Sequence, residues 1–202
     1  MTTASVPPGS LRDRDDVIAH IKTEMRAPLR ALQSLRTTRE VGGLSRDLDQ
    51  RMVQHTKSLA RRLSLLLEDL VLVSTPGQER LVLELQDLRV STQVARAASL
   101  FPQLSVDVEG DADVSVRADS LRLQQLLANL LRSARPEDGR PIRLLVTCDN
   151  DAVTLELPDA PVSDGYELDL IRQLVQAHGG RLGHRDEGTL LVSLPRGRHP
   201  RR

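Results

Sequence analysis

Aromatic side chains are almost missing from this chain: tryptophan is absent, and Phe101 and Tyr166 are the only phenylalanine and tyrosine in 202 residues. A core of any size must therefore be aliphatic, built from Leu and Val on helix seams and small sheets. The 39% apolar content suffices for one large domain or two modest ones. Net charge is missing as well. Lys and Arg total 28 and Asp and Glu total 28, which removes the broad electrostatic footprint of a direct nucleic-acid binder. Only Arg196 to Arg202 is locally basic, and so short a tail reads as a solvated face. A single cysteine, Cys148, forbids an intramolecular disulfide, fits a reducing compartment and has no metal-ligand spacing around it. No apolar run approaches the ~20 residues that a bilayer span requires. The opening MTTASVPPGS lacks the basic-then-apolar order of a secretory signal. These absences predict a cytoplasmic, soluble chain with neither nucleic acid nor membrane as direct partner.

What is present is helical periodicity followed by a mixed pattern. Residues 1–10 are rich in Pro, Gly, Ser and Thr and are expected to be disordered. From Leu11, the residues Ile18, Ile21, Met25, Pro28, Leu32 and Leu35 follow the alternating three-and-four spacing of a coiled-coil seam. Gly42-Gly43 breaks that helix, and Ser45 can cap a second one, with Asp47 in its first turn. Leu48, Met52, Leu59, Leu63, Leu66, Leu70 and Val73 then form one stripe up to Pro76-Gly77. The spacing predicts a hairpin over 11–77 whose seam is shielded by a second copy, a homodimeric four-helix bundle.

Beyond Gly77, strands are expected at Leu81–Leu85, Leu104–Val108, Val114–Val116, Ile142–Thr147, Val153–Leu157 and Thr189–Leu194. Helices are expected over Val90–Leu100, from Asp119 or Ser120 to about Ala134, and over Glu167–Ala177 before Gly179-Gly180. This mixture predicts an α/β sandwich over 78–196, with helices on one face of a mixed sheet and a basic tail over 197–202.

Taken in order, the segments resemble the core of bacterial sensor histidine kinases. Val17 to Leu29 (VIAHIKTEMRAPL) resembles their phosphoacceptor helix, usually written F-x-A-x-x-S-H-E-L-R-T-P-L. Leu83–Leu88 resembles the start of their ATP-binding domain. Ala118–Leu131 is similar to the helix of their N box. Leu174–Leu182 (LVQAHGGRL) matches the helix end after their glycine-rich box, and Gly188-Thr189 with Leu194-Pro195 matches their final strand. The resemblance spans nearly the whole chain. It implies an α+β architecture: a long helical hairpin forming a dimeric four-helix bundle, then an α/β sandwich of the GHKL (Bergerat) ATPase type.

The same alignment shows where the sequence departs from the family. The phosphoacceptor histidine is Thr23, an unactivated hydroxyl in place of an imidazole. Its acidic neighbour is kept as Glu24, while the phosphatase position four residues after the histidine falls on Ala27. In the N box Asn129 remains, Ser133 replaces the magnesium-holding asparagine, and Pro136 replaces a basic residue. Asp159 matches the adenine-binding carboxylate. Its following glycines are Pro161 and Ser163, and in the second glycine box Gly165 is followed by Glu167. A carboxylate there places a side chain and negative charge where phosphates would approach backbone N–H groups. Asn129, Ser133, Asp159, Gly165 and Glu167 thus read as a vestigial cofactor site, with binding of ATP and Mg²⁺ expected to be lost.

The leading expectation is a pseudo-histidine kinase, not an enzyme. It would act in two-component signalling by binding a response regulator receiver domain or a true kinase. In the family, receivers dock on the bundle where Arg30 to Leu35 and Glu68 to Val73 lie here, with Arg30, Leu35, Glu68 and Leu72 as the contact residues. The alternative is a phosphotransfer protein using His20, one helical turn before Thr23 and beside Glu24. A working kinase would require all the substitutions above to be tolerated together. His55, near the second helix's seam, is expected to be a packed polar residue, and His178 belongs to the helix-ending motif.

Overall fold

A computed structural model describes residues 11–41, 46–74, 81–134, 140–158, 166–185 and 188–197. The chain divides into two compact units, Met1–Gly77 and Gln78–Arg202.

The first unit is a hairpin of two long helices, α1 (Leu11–Val41, 31 residues) and α2 (Arg46–Ser74, 29 residues), packed on each other. The Gly42-Gly43 break and the Ser45 cap lie outside the described residues. Pro28 sits inside α1 and is buried. Lacking an N–H, it leaves the carbonyl one turn earlier without its helical donor. Within a single hairpin Ile21 is fully buried, with Leu59, Leu65 and Leu66, while Ile18, Met25, Leu32, Met52, Leu63, Leu70 and Val73 are half-buried. Within the single hairpin Ile21 is thus withdrawn from water, while Ile18, Met25 and Leu32 keep part of their surface open. His55, expected to be a packed polar residue, is exposed within the single hairpin.

The second unit begins with β1 (Leu85–Arg89), α3 (Val90–Ala98), β2 (Val106–Gly110), β3 (Ser115–Asp119) and α4 (Ser120–Ser133). It continues with β4 (Ile142–Cys148), β5 (Ala152–Leu157), α5 (Tyr166–Ala177), β6 (Arg181–His184) and β7 (Leu190–Pro195). The main sheet has the order β2-β4-β5-β7-β6, and β1 pairs with β3 in a two-stranded antiparallel sheet. Only β2 and β4 are parallel neighbours in the main sheet, because the chain between them crosses over through β3 and α4. The alternation read from the sequence appears as one buried face: Ile142, Leu144 and Val146 on β4, Val153 and Leu155 on β5, Val192 and Leu194 on β7. Leu123, Leu126, Leu127, Leu130 and Leu131 of α4 and Leu170, Ile171, Leu174 and Val175 of α5 supply the other side of an aliphatic core, and Phe101 is buried as well.

Two turns show how local chemistry fixes this layer. The carboxylate of Asp149 accepts from the N–H groups of Asp151 (2.9 Å) and Ala152 (2.7 Å) at the β4–β5 corner. These bonds hold its carboxyl below the usual carboxylate range. The folded-state pKa is depressed, so the turn's contribution is present above about pH 4 and fades as the pH falls through the lower folded value. Gly110, at the end of β2, has φ +83°, and a Cβ there would lie 2.3 Å from the Val146 carbonyl oxygen. Gly110→Ala is expected to destabilise the unit by more than about 1 kcal/mol, through strain and displacement of β4. Thermal unfolding checks this, and a midpoint equal to the original protein's would reject it.

Candidate functional site

Two groups of side chains carry the chemistry suggested by the sequence, one in each unit.

On the hairpin, Thr23 is exposed and its hydroxyl donates to the Ala19 carbonyl one turn back (2.9 Å). That is a helix back-bond, and no base is drawn into it. His20 and Glu24 share a helix face at i,i+4, with Nε2 3.9 Å from Oε1. The other Glu24 oxygen lies 3.7 Å from Nη2 of Arg62 on α2. Glu24 thus forms part of a charge bridge between the helices. Arg30 is exposed, Glu68 and Leu72 are half-buried, and Leu35 lies on α1.

In the second unit the sites lie on α4 and α5. Asp119 caps α4: Oδ1 accepts from the Arg122 N–H (2.9 Å), and Oδ2 accepts from the Glu84 N–H (3.0 Å). The Asp119 N–H donates to Nε2 of His178 (3.2 Å), whose Nδ1 stands 2.7 Å from the Leu174 carbonyl. A carbonyl can only accept, so Nδ1 carries the proton and Nε2 is the acceptor, which makes this buried ring neutral. His178 thereby ties the end of α5 to the start of α4. Just beyond it, the N–H of Gly179 donates to the Gln176 carbonyl and that of Gly180 to the Val175 carbonyl (both 2.9 Å). With Gly179 at φ +72°, this is a Schellman stop.

At the other end of α4, Asn129 is buried. Its Nδ2 donates to the Gln125 carbonyl (3.0 Å), and its Oδ1 accepts from Nη1 of Arg132 (3.1 Å). Nη2 of Arg132 lies 3.8 Å from the carboxylate of Glu167, in the first turn of α5. Ser133 donates its hydroxyl to the Leu130 carbonyl (2.8 Å). Arg132 was not singled out from the sequence. Asp159 and Gly165 lie outside the described residues. A guanidinium thus engages the Asn129 oxygen, and the Ser133 hydroxyl is turned onto its own helix. Cys148 lies at the end of β4, where its thiol contacts the Asp149 carbonyl.

No family model matches the chain. A curated relative, the signal transduction histidine-protein kinase AfsQ2 of Streptomyces coelicolor, is 29% identical over 156 residues, 70% of this chain and 29% of the relative. The chain thus spans less than a third of that protein's length. The solved structure of the Acinetobacter baumannii histidine kinase AdeS superposes with a TM-score of 0.54 at 17% identity, covering 85% of this chain and 96% of that one. The nucleotide-free catalytic domain of the histidine kinase ThkA gives 0.48 at 20% identity, over 58% of this chain and 100% of that one. Among the described residues, no helix is long and apolar enough to cross a membrane.

The expectation that the chain is not an enzyme is overturned by these matches. The curated relative and the matched structure are both histidine kinases. The substitutions at Thr23, Ser133 and Glu167 are therefore departures from a sequence pattern, and they do not demonstrate a lost activity. The chain is similar in sequence to a signal transduction histidine-protein kinase and shares its fold with the solved histidine kinase AdeS.

Proposed function

We propose that this histidine-kinase-like chain is a two-component signalling protein that dimerises through its hairpin into a four-helix bundle and docks a receiver domain on that bundle. The observation that carries the reading is a second apolar seam on α2 that the hairpin leaves uncovered. Val53, Ala60, Ser64, Leu67 and Val71 are exposed and lie seven, four, three and four residues apart, a coiled-coil register in which Lys57 takes the position between Val53 and Ala60. Val53, Leu67 and Val71 keep 49%, 48% and 59% of their surface accessible. A stripe of this kind on a long helix is what a second helix pair covers. The proposed docking positions are Arg30 and Leu35 on α1 and Glu68 and Leu72 on α2, which lie towards opposite ends of the antiparallel hairpin because Arg62 faces Glu24; the partner is a response regulator receiver domain or, in a mixed bundle, another histidine kinase. Sedimentation of the chain alone and with a receiver domain tests the reading. A dimer that takes up the receiver is expected, and a monomer that ignores it would remove the proposal.

A second reading has its own observation. The ring of His20, 52% exposed, stands beside Glu24, which Arg62 pairs from α2. A phosphoryl group passing from a receiver's aspartyl phosphate to a His20 ring nitrogen would release the receiver's carboxylate, and Arg62 could face the new anion. This makes the hairpin a phosphotransfer element with His20, not Thr23, as acceptor.

A further inference from the structure

Beyond β7 the chain leaves the main sheet and is tied to two neighbours at once. The N–H of Arg196 donates to the Asp151 carbonyl (2.8 Å), its Nη1 donates to the Asp149 carbonyl (2.7 Å), and the N–H of Gly197 donates to the Ser115 carbonyl (2.7 Å). Arg196 bridges to Val116 in antiparallel register, on the edge of β3 that β1 does not occupy. Glycine suits this crossing, because a Cβ at Gly197 would lie 2.9 Å from the Val116 carbonyl carbon and 3.0 Å from Oδ1 of Asp87. Residues 198–202, Arg-His-Pro-Arg-Arg, lie outside the described residues. Gly197 nevertheless sets where they depart, and the antiparallel register directs them past Val114 and Asp113.

That heading leads into negative charge. The turn after β2 carries Asp111 and Asp113, the β4–β5 corner carries Asp149 and Asp151, and all four are exposed. Both lie at one end of β4: the Asp111 N–H donates to the Val146 carbonyl (2.8 Å), and β4 ends at Cys148. Asp113 has Arg89 only at 3.8 Å, and among the described residues no cation pairs with the carboxylates of Asp111 and Asp151. The departing segment complements this end of the sheet, since three of its five residues are arginine. Its proline fits as well. Gly197 turns its N–H towards β3, so in an extended chain residue 199 does likewise, and Pro200 turns away, where no donor is called for.

We propose that residues 198–202 form an intramolecular clasp, running along the open edge of β3 and held by the carboxylates of Asp111, Asp113 and Asp151. The clasp closes a sheet edge on which a foreign strand could otherwise pair, and Pro200 blunts the new outer side. One exposed ion pair contributes little, but three arginines on a chain already anchored at Gly197 act together. The clasp belongs to the second unit and is independent of receiver docking on the hairpin, so either can fail alone.

The test is nuclear magnetic resonance relaxation of the full chain, read at the backbone amides of Arg198, His199 and Arg201. Order parameters of about 0.8, as in the strands, are expected in ~0.01 M salt, falling below about 0.6 in 1 M salt, where the screening length shrinks to ~3 Å. Arg198→Glu, Arg201→Glu and Arg202→Glu together should leave the segment loose at both salt concentrations. Asp111→Lys with Asp151→Lys should loosen the original segment but restore order to the glutamate one. None of these positions is in the core, and unchanged strand amides would show that the variants are folded. A segment that is loose in ~0.01 M salt would overturn the clasp. So would order that survives 1 M salt or the two lysines, or a charge swap that leaves the segment loose. Order that vanishes on dilution would give the segment to a second copy and overturn it as well.

Discussion

Replacing Leu67 and Val71 together with glutamate is expected to turn a dimer into a folded monomer. Both side chains are about half accessible in a single hairpin, at 48% and 59%, so a carboxylate there remains solvated and the hairpin has no reason to unfold. In a four-helix bundle the same positions face their copies across the seam, and each glutamate would be desolvated beside a like charge. Burying an uncompensated charge costs several kcal/mol, so two per protomer should weaken association by ~1,000-fold or more. Ile21 would be a poor choice for the experiment. It is fully buried inside one hairpin, and a charge there would break the hairpin whatever its oligomeric state. Sedimentation velocity and far-ultraviolet circular dichroism read the two quantities separately. A variant that remains dimeric, or an original protein that is already a well-folded monomer, would dismiss the bundle.

The contrast between Ile21 and Leu67 also shows what the sequence could and could not tell. A three-and-four repeat announces a helix with an apolar face, but not which partner covers it. Ile21 of the α1 stripe is buried within the single hairpin, whereas the face of α2 that stays open carries alanine and serine among its larger residues and so gives a weaker apolar signal. Strongly periodic elements were legible: α4 begins after its Asp119 cap and buries the leucines its spacing assigns. Strand edges were not. The alternation at Leu81–Leu85 suggested a strand, yet the ladder runs Leu85–Arg89 because its partner is Ser115–Asp119, and Val82 is left 95% exposed. β6 escaped notice because Arg-Leu-Gly-His carries little strand propensity and is ordered by pairing with β7. At the candidate sites, positions could be assigned by resemblance, but contacts between elements could not. Asn129 and Arg132 at i,i+3 on one helix were a readable signal; the approach of Glu167 depends on how α5 returns against α4.

The last expected result concerns the docking positions. Leu72→Arg should weaken receiver binding by ~100-fold or more, because charge placed at the centre of an apolar contact is among the costliest changes an interface meets. Leu72 is half-buried on α2 and Arg30 exposed on α1, so Arg30→Glu provides a second, surface-only variant that cannot be blamed on misfolding. His20→Gln should bind the receiver as well as the original protein, since docking depends on bundle surface and not on the ring of His20. The same samples separate the phosphotransfer reading. Incubated with a phosphorylated receiver, the chain is expected to bind it without acquiring acid-labile label. Label that disappears in His20→Gln and survives in Thr23→Ala would instead make His20 the acceptor, with Glu24 and Arg62 as its charged neighbours. Undiminished receiver binding by both Leu72→Arg and Arg30→Glu would move the partner off the hairpin positions proposed on either helix, because a receiver seated at one of them could not ignore a new cation or a reversed charge in its contact.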